Sequence, residues 1–227
     1  PQSAPPGGID YIAVEESASS NGRVTIYSEA IDRYSARRLS LMGELRSAIQ
    51  HNDLELHFQP QLDLRDGRVV RLEALLRWRH PRLGLVPPDE FVPLAEQTGV
   101  IKPLTAWVLR AAIAQCRRLA DQGFALELAV NLSARNLLEA DLPAVIAALL
   151  GEFGVPGTRL VLEVTETAMM ENAEAAMGIL TQLRTFGVRS SIDDFGSGYS
   201  SLAYLRRLPV SEIKIDRGFV MDMLAQP

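Results

Sequence analysis

Short apolar runs alternate with longer amphipathic stretches along most of the chain. The short runs predict strands over 54–64, 69–78, 126–132, 160–165, 189–194 and 212–215. The longer stretches predict helices over 104–119, 133–153, 173–186 and 201–208, the last two ended by Gly187 and Pro209. A further helix is predicted from Ala36, because Leu39, Met42, Leu45 and Ile49 recur at three- and four-residue steps before a polar break at 51–53.

The strand-then-helix order restricts the fold class. Parallel strands joined by crossover helices occur in open doubly wound sheets and in (β/α)8 barrels. The chain has no Gly-x-Gly-x-x-Gly turn after its first strand and no Walker-type loop, which weighs against a nucleotide-binding open sheet. The pattern therefore favours an α/β barrel.

Residues 1–35 are expected to lie outside this barrel. The start, 1–8, is rich in Pro and Gly, and 17–22 is a polar break before a short strand-like run at 24–27. We therefore expect 1–35 to be a linker or the end of another domain, and 36–227 to be the main domain.

Composition narrows the class of protein further. The chain has 227 residues, 47% of them hydrophobic and 22% charged, as in ordinary globular domains. A net charge of -5 and a pI near 5.3 argue against a broad basic face for a nucleic-acid polymer, while a small anionic ligand stays possible. Cys116 is the single cysteine, which excludes an intrachain disulfide and fits a cytoplasmic location. No apolar run approaches the roughly 18 residues of a membrane span, so we expect no membrane contact from this segment.

Several apolar strands end in polar side chains. Glu73, Asn131 and Glu163 close or interrupt three of them, Asp193 and Asp194 follow a fourth, and Lys214 lies between Ile213 and Ile215. In a barrel the carboxyl ends of the strands converge on one mouth, so these groups are expected to share a cleft. Burying that many carboxylates is prohibitive unless cations neutralise them.

The residue types indicate the chemistry of such a cleft. Oxygen ligands without His or Cys select hard cations such as Mg²⁺ or Mn²⁺. The adjacent pair Asp193 and Asp194 can serve two ions, and two ions can clamp the attacking and departing oxygens of a phosphoryl displacement. Lys214, desolvated and crowded by cations, would have a lowered pKa and accept a proton from the attacking water. The pattern predicts a hydrolase.

Simpler interpretations exist for each residue taken alone. An acid that ends a strand, such as Glu73, is most often solvated or caps the next helix, and the run 193–199 resembles a Gly/Ser turn. The same combination on several strands favours a shared site. Other candidate side chains are assigned to the surface, to strand edges or to helix packing, without a chemical role: His51, His57, His80, Trp107 and Cys116.

Seven short motifs follow one another along the chain: FQP at 58–60, EALLRW at 73–78, PDEFVPLAE at 88–96, VNLS at 130–133, LEVTET at 162–167, DDFGSGYSSL at 193–202 and IKIDR at 213–217. In their order and spacing, from about Leu41, they resemble the motifs of the EAL-domain cyclic di-GMP phosphodiesterases. The resemblance implies a TIM-type barrel whose first strand is antiparallel to the others. It implies hydrolysis of cyclic di-GMP to linear pGpG with two Mg²⁺ or Mn²⁺ ions, in a homodimer.

The resemblance also implies roles for individual residues. Ligands of the first metal would be Glu73, Asn131, Glu163 and Asp193. Ligands of the second would include Asp193 and Asp194, and Lys214 would assist the nucleophilic water. Arg77 would contact the substrate phosphate, as guanidinium geometry allows. Gln59, Leu76 and Asp216 would also contact substrate. Glu166 would hold the loop 195–201, which in the family links dimerisation to metal occupancy.

The two ends of the chain raise separate expectations. The segment 11–27 resembles the last helix and strand of a GGDEF domain, as in tandem GGDEF-EAL regulators. The family domain continues past the sixth strand with two more strands, including a glutamate of the second metal site, and we expect these to be missing here.

Two rival functions stay open. One is a non-catalytic module that binds cyclic di-GMP or a protein, and the other is an unrelated metal-dependent barrel enzyme acting on sugars or acids.

Overall fold

The computed structural model describes the backbone at 12–14, 24–26, 29–51, 53–196 and 208–222, and side chains at 40–51, 53–196 and 208–221. The strands are β1 (Ile12–Val14), β2 (Val24–Ile26), β3 (Leu54–Leu62), β4 (Val69–His80), β5 (Gly84–Val86), β6 (Glu127–Leu132), β7 (Leu160–Thr165), β8 (Arg189–Phe195) and β9 (Glu212–Ile215). The helices are α1 (Glu29–His51), α2 (Pro88–Thr98), α3 (Ile101–Asp121), α4 (Leu142–Phe153), α5 (Glu166–Glu171), α6 (Ala173–Thr185) and α7 (Arg217–Asp222).

One mixed sheet organises the main domain. Its strand order is β3-β4-β6-β7-β8-β9, with β5 paired to the end of β4 as a hairpin. Strand β3 is antiparallel to β4, and each later neighbour along this order is parallel. Among the described residues, β3 and β9 are the two edges of the sheet. The predicted α/β class and the antiparallel first strand are confirmed.

Helices α3, α4 and α6 cover the outer face of the parallel strands. Their buried faces, which include Leu109, Ile146 and Leu180, pack with Val130 and Leu162 of β6 and β7 in one apolar core. Strand β7 is buried along five of its six residues, as expected for a central parallel strand covered on both faces. This core fixes the strands whose carboxyl ends carry the polar residues.

A second apolar cluster lies under α1. Leu41 and Leu45 pack with Trp78 and Phe91. The rings of Trp78 and Phe91 meet edge to face, with their centroids 5.5 Å apart. His80 is buried here, contrary to the surface or strand-edge position expected from the sequence. Its Nδ1 accepts hydrogen bonds from the backbone N–H groups of Arg82 and Leu83. The proton of the ring is therefore on Nε2, which donates to Glu44 Oε2 at 2.7 Å.

Several element boundaries differ from the predictions. The helix predicted over 133–153 is divided into a short 3-10 turn and α4, because buried Asn136 accepts hydrogen bonds from the Ser133 backbone and from Thr105. Helix α2 was not predicted, since Pro93 lies inside it. Strand β3 ends at Leu62, where the turn that contains Gly67 begins.

At the N-terminus, β1 and β2 form an antiparallel pair, so 12–14 is a strand where the GGDEF resemblance implied a helix. Helix α1 begins at Glu29, earlier than the predicted start at 36. Of the helix predicted over 201–208, residues 201–207 lie outside the described residues, and Leu208 is not helical. None of the helices in the described ranges is long and apolar enough to cross a membrane.

Candidate functional site

Three carboxylates from three different strands meet around one ammonium group. Oxygens of Glu73 on β4, Glu163 on β7 and Asp193 on β8 lie within 4.8 Å of one another. Lys214 Nζ, on β9, donates to Glu163 Oε2 at 2.7 Å, to Asp193 Oδ2 at 2.8 Å and to Glu73 Oε2 at 3.2 Å. The structure therefore brings together four of the residues that the strand ends predicted, at the carboxyl edge of the sheet.

The electrostatics of Lys214 differ from the prediction. Burial of the ammonium group lowers its pKa, but hydrogen bonds to Asp193 and Glu163 and the charges of Glu163 and Glu73 outweigh burial, so the pKa of Lys214 is raised. A lowered pKa was expected from the sequence, because bound cations were expected next to Lys214. Its neighbours in the structure are carboxylates, which favour the charged form.

Burial has the opposite consequence for the acids. It raises the pKa of Glu163, and the charges of Glu73 and Asp193 add to this, although Lys214 opposes both. The Glu163 side chain is 0% exposed, and its Oε1 has no hydrogen-bond partner among the described residues. A buried carboxylate oxygen without a partner is costly unless a ligand satisfies it. This all-oxygen donor set fits a hard divalent cation.

The other two predicted metal ligands are placed differently. Asn131 is the last residue but one of β6 and donates from Nδ2 to Glu73 Oε1 at 3.1 Å, so it contacts the carboxylate group directly. Within the described part of the chain, the group of three carboxylates does not extend to Asp194. Asp194 has a left-handed backbone, with φ of 52°, and its N–H donates to Asp193 Oδ1 at 2.9 Å. Burial, followed by the charges of Asp193 and Asp216, raises the pKa of Asp194.

The predicted substrate-contact residues lie around the site but make local contacts. Leu76 lines a cavity of about 520 Å³ bounded by α2, α3, the middle of β4 and the ends of β6 and β7. Arg77 is half-buried and donates from Nη1 to the Leu76 carbonyl at 2.8 Å. Gln59 is exposed and lies opposite Glu73 in the β3–β4 register. Asp216 Oδ1 accepts from the Gly218 N–H at 2.8 Å.

Glu166 is positioned as its predicted role requires. It is 3% exposed, and its Oε2 accepts from the Gly196 N–H at 2.8 Å, directly after β8. This bond ties the first residue of α5 to the start of the segment that follows Asp193 and Asp194. Residues 197–201 of the predicted loop lie outside the described residues, so the connection to dimerisation stays a prediction.

Sequence reasoning missed a second polar layer beneath the carboxylates, toward the beginnings of the strands. Arg71 lies two residues before Glu73, and Glu212 lies two residues before Lys214, so each pair faces the same side of its strand. Gln61, which was not singled out from the sequence, donates from Nε2 to Glu73 Oε2 at 3.4 Å. The available signal was this two-residue spacing of charged residues within strands. The remaining members of the layer are Glu127 and Arg189.

Comparison with known proteins identifies the family to which this site belongs. The family model described as EAL domain matches residues 42–227, most of the chain. The chain belongs to the EAL domain family. The resemblance predicted from the motifs is thereby confirmed, together with the TIM-type barrel that it implied, of which the described sheet is an open part.

Curated relatives and a solved structure support the assignment. The EAL domain chain is 45% identical over 212 residues to the cyclic di-GMP phosphodiesterase NbdA of Pseudomonas aeruginosa, covering 93% of this chain and 27% of NbdA. It is 44% identical over 198 residues to the bifunctional diguanylate cyclase/cyclic di-GMP phosphodiesterase MucR of the same organism, covering 87% of this chain and 29% of MucR. The chain thus spans under a third of the length of these relatives.

The structural similarity is also high. The solved structure of the PaMucR phosphodiesterase in complex with c-di-GMP has a TM-score of 0.78 and 46% sequence identity, over 83% of this chain and 76% of that chain. At this identity the likeness extends beyond the fold to the family. The EAL domain described here therefore shares its architecture with a domain whose solved structure holds cyclic di-GMP.

Proposed function

We propose that this EAL domain hydrolyses cyclic di-GMP to linear pGpG and depends on Mg²⁺ or Mn²⁺. The observation that carries the proposal is the meeting of Glu73, Glu163 and Asp193 around Lys214 at the carboxyl edge of the sheet. Relatives named as cyclic di-GMP phosphodiesterases, 44–45% identical, support the choice of substrate. The related structure in complex with c-di-GMP supports the choice of ligand.

Within this proposal, the strand-end oxygens are the cation ligands. Glu73, Asn131, Glu163 and Asp193 would hold the first ion, and Asp193 with Asp194 would contribute to a second. Bound divalent cations supply positive charge that stabilises the phosphoryl oxygens during displacement. Two observations support this assignment: Glu163 Oε1 has no hydrogen-bond partner in the part of the chain that the structure describes, and the carboxylates there outnumber the ammonium group of Lys214.

Lys214 and the substrate-contact residues have separate roles. With its pKa raised, Lys214 holds a proton on Nζ, and it would orient the attacking water through an N–H released from one of its three carboxylate partners. It can accept a proton only when the charge of its three carboxylate partners is compensated. Arg77 binds a phosphate oxygen after leaving its bond to the Leu76 carbonyl, and Gln59, Leu76 and Asp216 orient the rest of the dinucleotide.

The proposal extends to the organisation of the protein. We infer that 36–227 is the EAL domain, that 1–35 is a linker with the end of a GGDEF domain, that the domain works in the cytoplasm and that it forms a homodimer. Sedimentation of the purified protein tests the dimer, since a single species at the monomer mass over a wide concentration range would contradict it.

The catalytic proposal is tested by incubating the protein with cyclic di-GMP and with Mg²⁺ or Mn²⁺, and by separating the products chromatographically. We expect linear pGpG with either ion and none in excess chelator. Glu73→Gln removes one charge from the ligand set and should reduce turnover below detection while the protein stays folded. Glu152→Gln, which makes the same change in an exposed ion pair, should leave turnover unchanged.

Binding distinguishes the rival function. If calorimetry shows that the protein binds cyclic di-GMP but no pGpG forms with either ion, the domain is a non-catalytic binding module and the catalytic proposal fails. If cyclic di-GMP neither binds nor reacts, the proposed substrate is wrong as well.

A further inference from the structure

A compact cluster of two arginines and two glutamates lies beneath the carboxylates on the inner face of the sheet, the face turned away from α3, α4 and α6. We call the space along this face the sheet interior. We call the four residues the basal ion-pair cluster: Arg71 of β4, Glu127 of β6, Arg189 of β8 and Glu212 of β9. Arg71 donates to both oxygens of Glu212 at 2.6 Å and, through Nε and Nη2, to Glu127 Oε2 at 3.1 and 2.9 Å. Arg189 pairs with the same two glutamates.

The Arg71–Glu212 pair connects two strands that are not neighbours. In the described sheet β4 and β9 are separated by β6, β7 and β8, so the pair bridges the interior directly. The Arg71 side chain is 10% exposed, and its two-pronged bond to Glu212 fixes both distance and orientation. Hydrogen bonds from Arg71 hold the pKa of Glu212 below its ordinary value, although burial opposes this.

The same pair is aligned with the candidate site. Residues two apart on a strand face the same side, so Arg71 lies directly below Glu73, and Glu212 directly below Lys214. Gln61 links the two layers, because its Oε1 accepts from Arg71 at 3.3 Å and its Nε2 donates to Glu73 at 3.4 Å. The Arg71–Glu212 bond therefore lies beneath the Lys214–Glu73 contact.

Strand β9 carries Lys214. It has four residues and pairs with β8 alone among the described strands, with a register shift between Ile192 and Phe195. Its outward side chains are poorly covered, Ile213 being 47% and Ile215 65% exposed. The Arg71–Glu212 bond thus connects β9 to β4, in addition to the pairing of β9 with β8.

We propose that Arg71 and Glu212 are positioning residues that hold β9 against β4 across the sheet interior and so keep Lys214 in place for the reaction. This inference rests on the proposed function for its effect on turnover, but its effect on β9 is independent of any activity. Neither residue touches the reacting atoms.

The test compares Glu212→Gln, Glu212→Asp and Arg71→Lys with two controls. Glu152→Gln makes the same change in the exposed Arg110–Glu152 pair, and Ile146→Val lowers stability from a buried position on α4. We expect Glu212→Gln and Arg71→Lys to lower kcat at least tenfold with KM changed less than threefold, because a displaced Lys214 affects the chemical step rather than substrate binding. Glu212→Asp keeps the charge and should recover part of the loss.

Hydrogen–deuterium exchange supplies the second measurement. Amides of β9 should exchange at least tenfold faster in Glu212→Gln than in the unmodified protein, while those of β6 and β7 keep their protection. Unchanged exchange in β9, or faster exchange with unchanged kcat, would overturn the inference. So would an equal loss of kcat in Ile146→Val, which would indicate general destabilisation. If the unmodified protein does not hydrolyse cyclic di-GMP, the proposed function fails, and the exchange of β9 alone decides whether the pair holds the strand.

Discussion

Removing the Lys214 ammonium should make the stability of the domain depend on divalent cations. In Lys214→Ala three carboxylates remain within 4.8 Å of one another without the charge that now lies among them. Two unit charges at that separation repel by about 3.5 kcal/mol at an effective dielectric constant near 20. Breaking a buried ion pair costs about 3–5 kcal/mol. Because Lys214 is 29% exposed and the pKa of Glu163 is already raised, we expect a loss near the lower end, about 3 kcal/mol.

Thermal denaturation in chelator and in Mn²⁺ measures this effect. For a chain of this size about 3 kcal/mol corresponds to a fall in Tm of roughly 6–12 °C. Mn²⁺ should remove most of the difference in Tm between Lys214→Ala and the unmodified protein, because a cation can neutralise the carboxylates in place of the ammonium group. Turnover should remain low in the variant even with the ion bound.

Lys102→Ala is the matched control. Lys102 also lies between two acids, Asp141 at 2.7 Å and Glu139 at 3.6 Å, but it is 54% exposed. Its removal should cost less than about 1 kcal/mol, with or without Mn²⁺. If Lys214→Ala loses no more stability than this control, or loses equally in chelator and in Mn²⁺, the carboxylates are not a cation site held in balance by Lys214.

Three further predictions concern the elements around the site. Hydrogen bonds from Ser40, Arg82 and His80 lower the pKa of Glu44 from 4.5 to about 2. The stability that the Glu44 carboxylate contributes to the fold is therefore complete above pH 4.5 and lost as the pH falls toward 2. The Tm of Glu44→Gln should accordingly lie below that of the unmodified protein at pH 7, and this difference should shrink at pH 3. Phe91→Ala should cost about 3–5 kcal/mol in urea denaturation, against less than about 0.5 for exposed Phe124→Ala. Glu166→Ala should speed exchange of the Gly196 amide, whereas Glu166→Gln, which keeps an acceptor, should retain most of its protection.

The sequence predicted the part of the site that follows from strand geometry. Glu73, Glu163 and Asp193 were placed together because polar residues at the ends of apolar strands converge on one edge of a parallel sheet. The structure has all six of the predicted main strands, and these three carboxylates meet where expected. The direction of the Lys214 pKa could not be predicted in the same way, because it depends on which charges lie nearest to Nζ.

Contacts between residues that lie far apart in the sequence could not be predicted from the sequence alone. Buried His80 and Glu44 lie 36 residues apart, and Arg71 and Glu212 lie 141 apart. A charged residue in a strand is ordinarily solvated, and only the folded sheet shows that Arg71 faces inward against two glutamates. Helix α2 was missed for a local reason: a proline inside a helix, here Pro93, usually marks its end.

The two polar layers of the sheet interior differ in how their charge is balanced. The basal ion-pair cluster contains two arginines and two glutamates, so it is neutral and its charges are paired internally. Among the residues that the structure describes, the upper group contains three carboxylates and one ammonium group, that of Lys214, which leaves a formal excess of two negative charges. A single divalent ion would cancel that excess. Because a buried charge needs a partner, the lower layer is balanced without a ligand, whereas the upper layer fits a divalent cation.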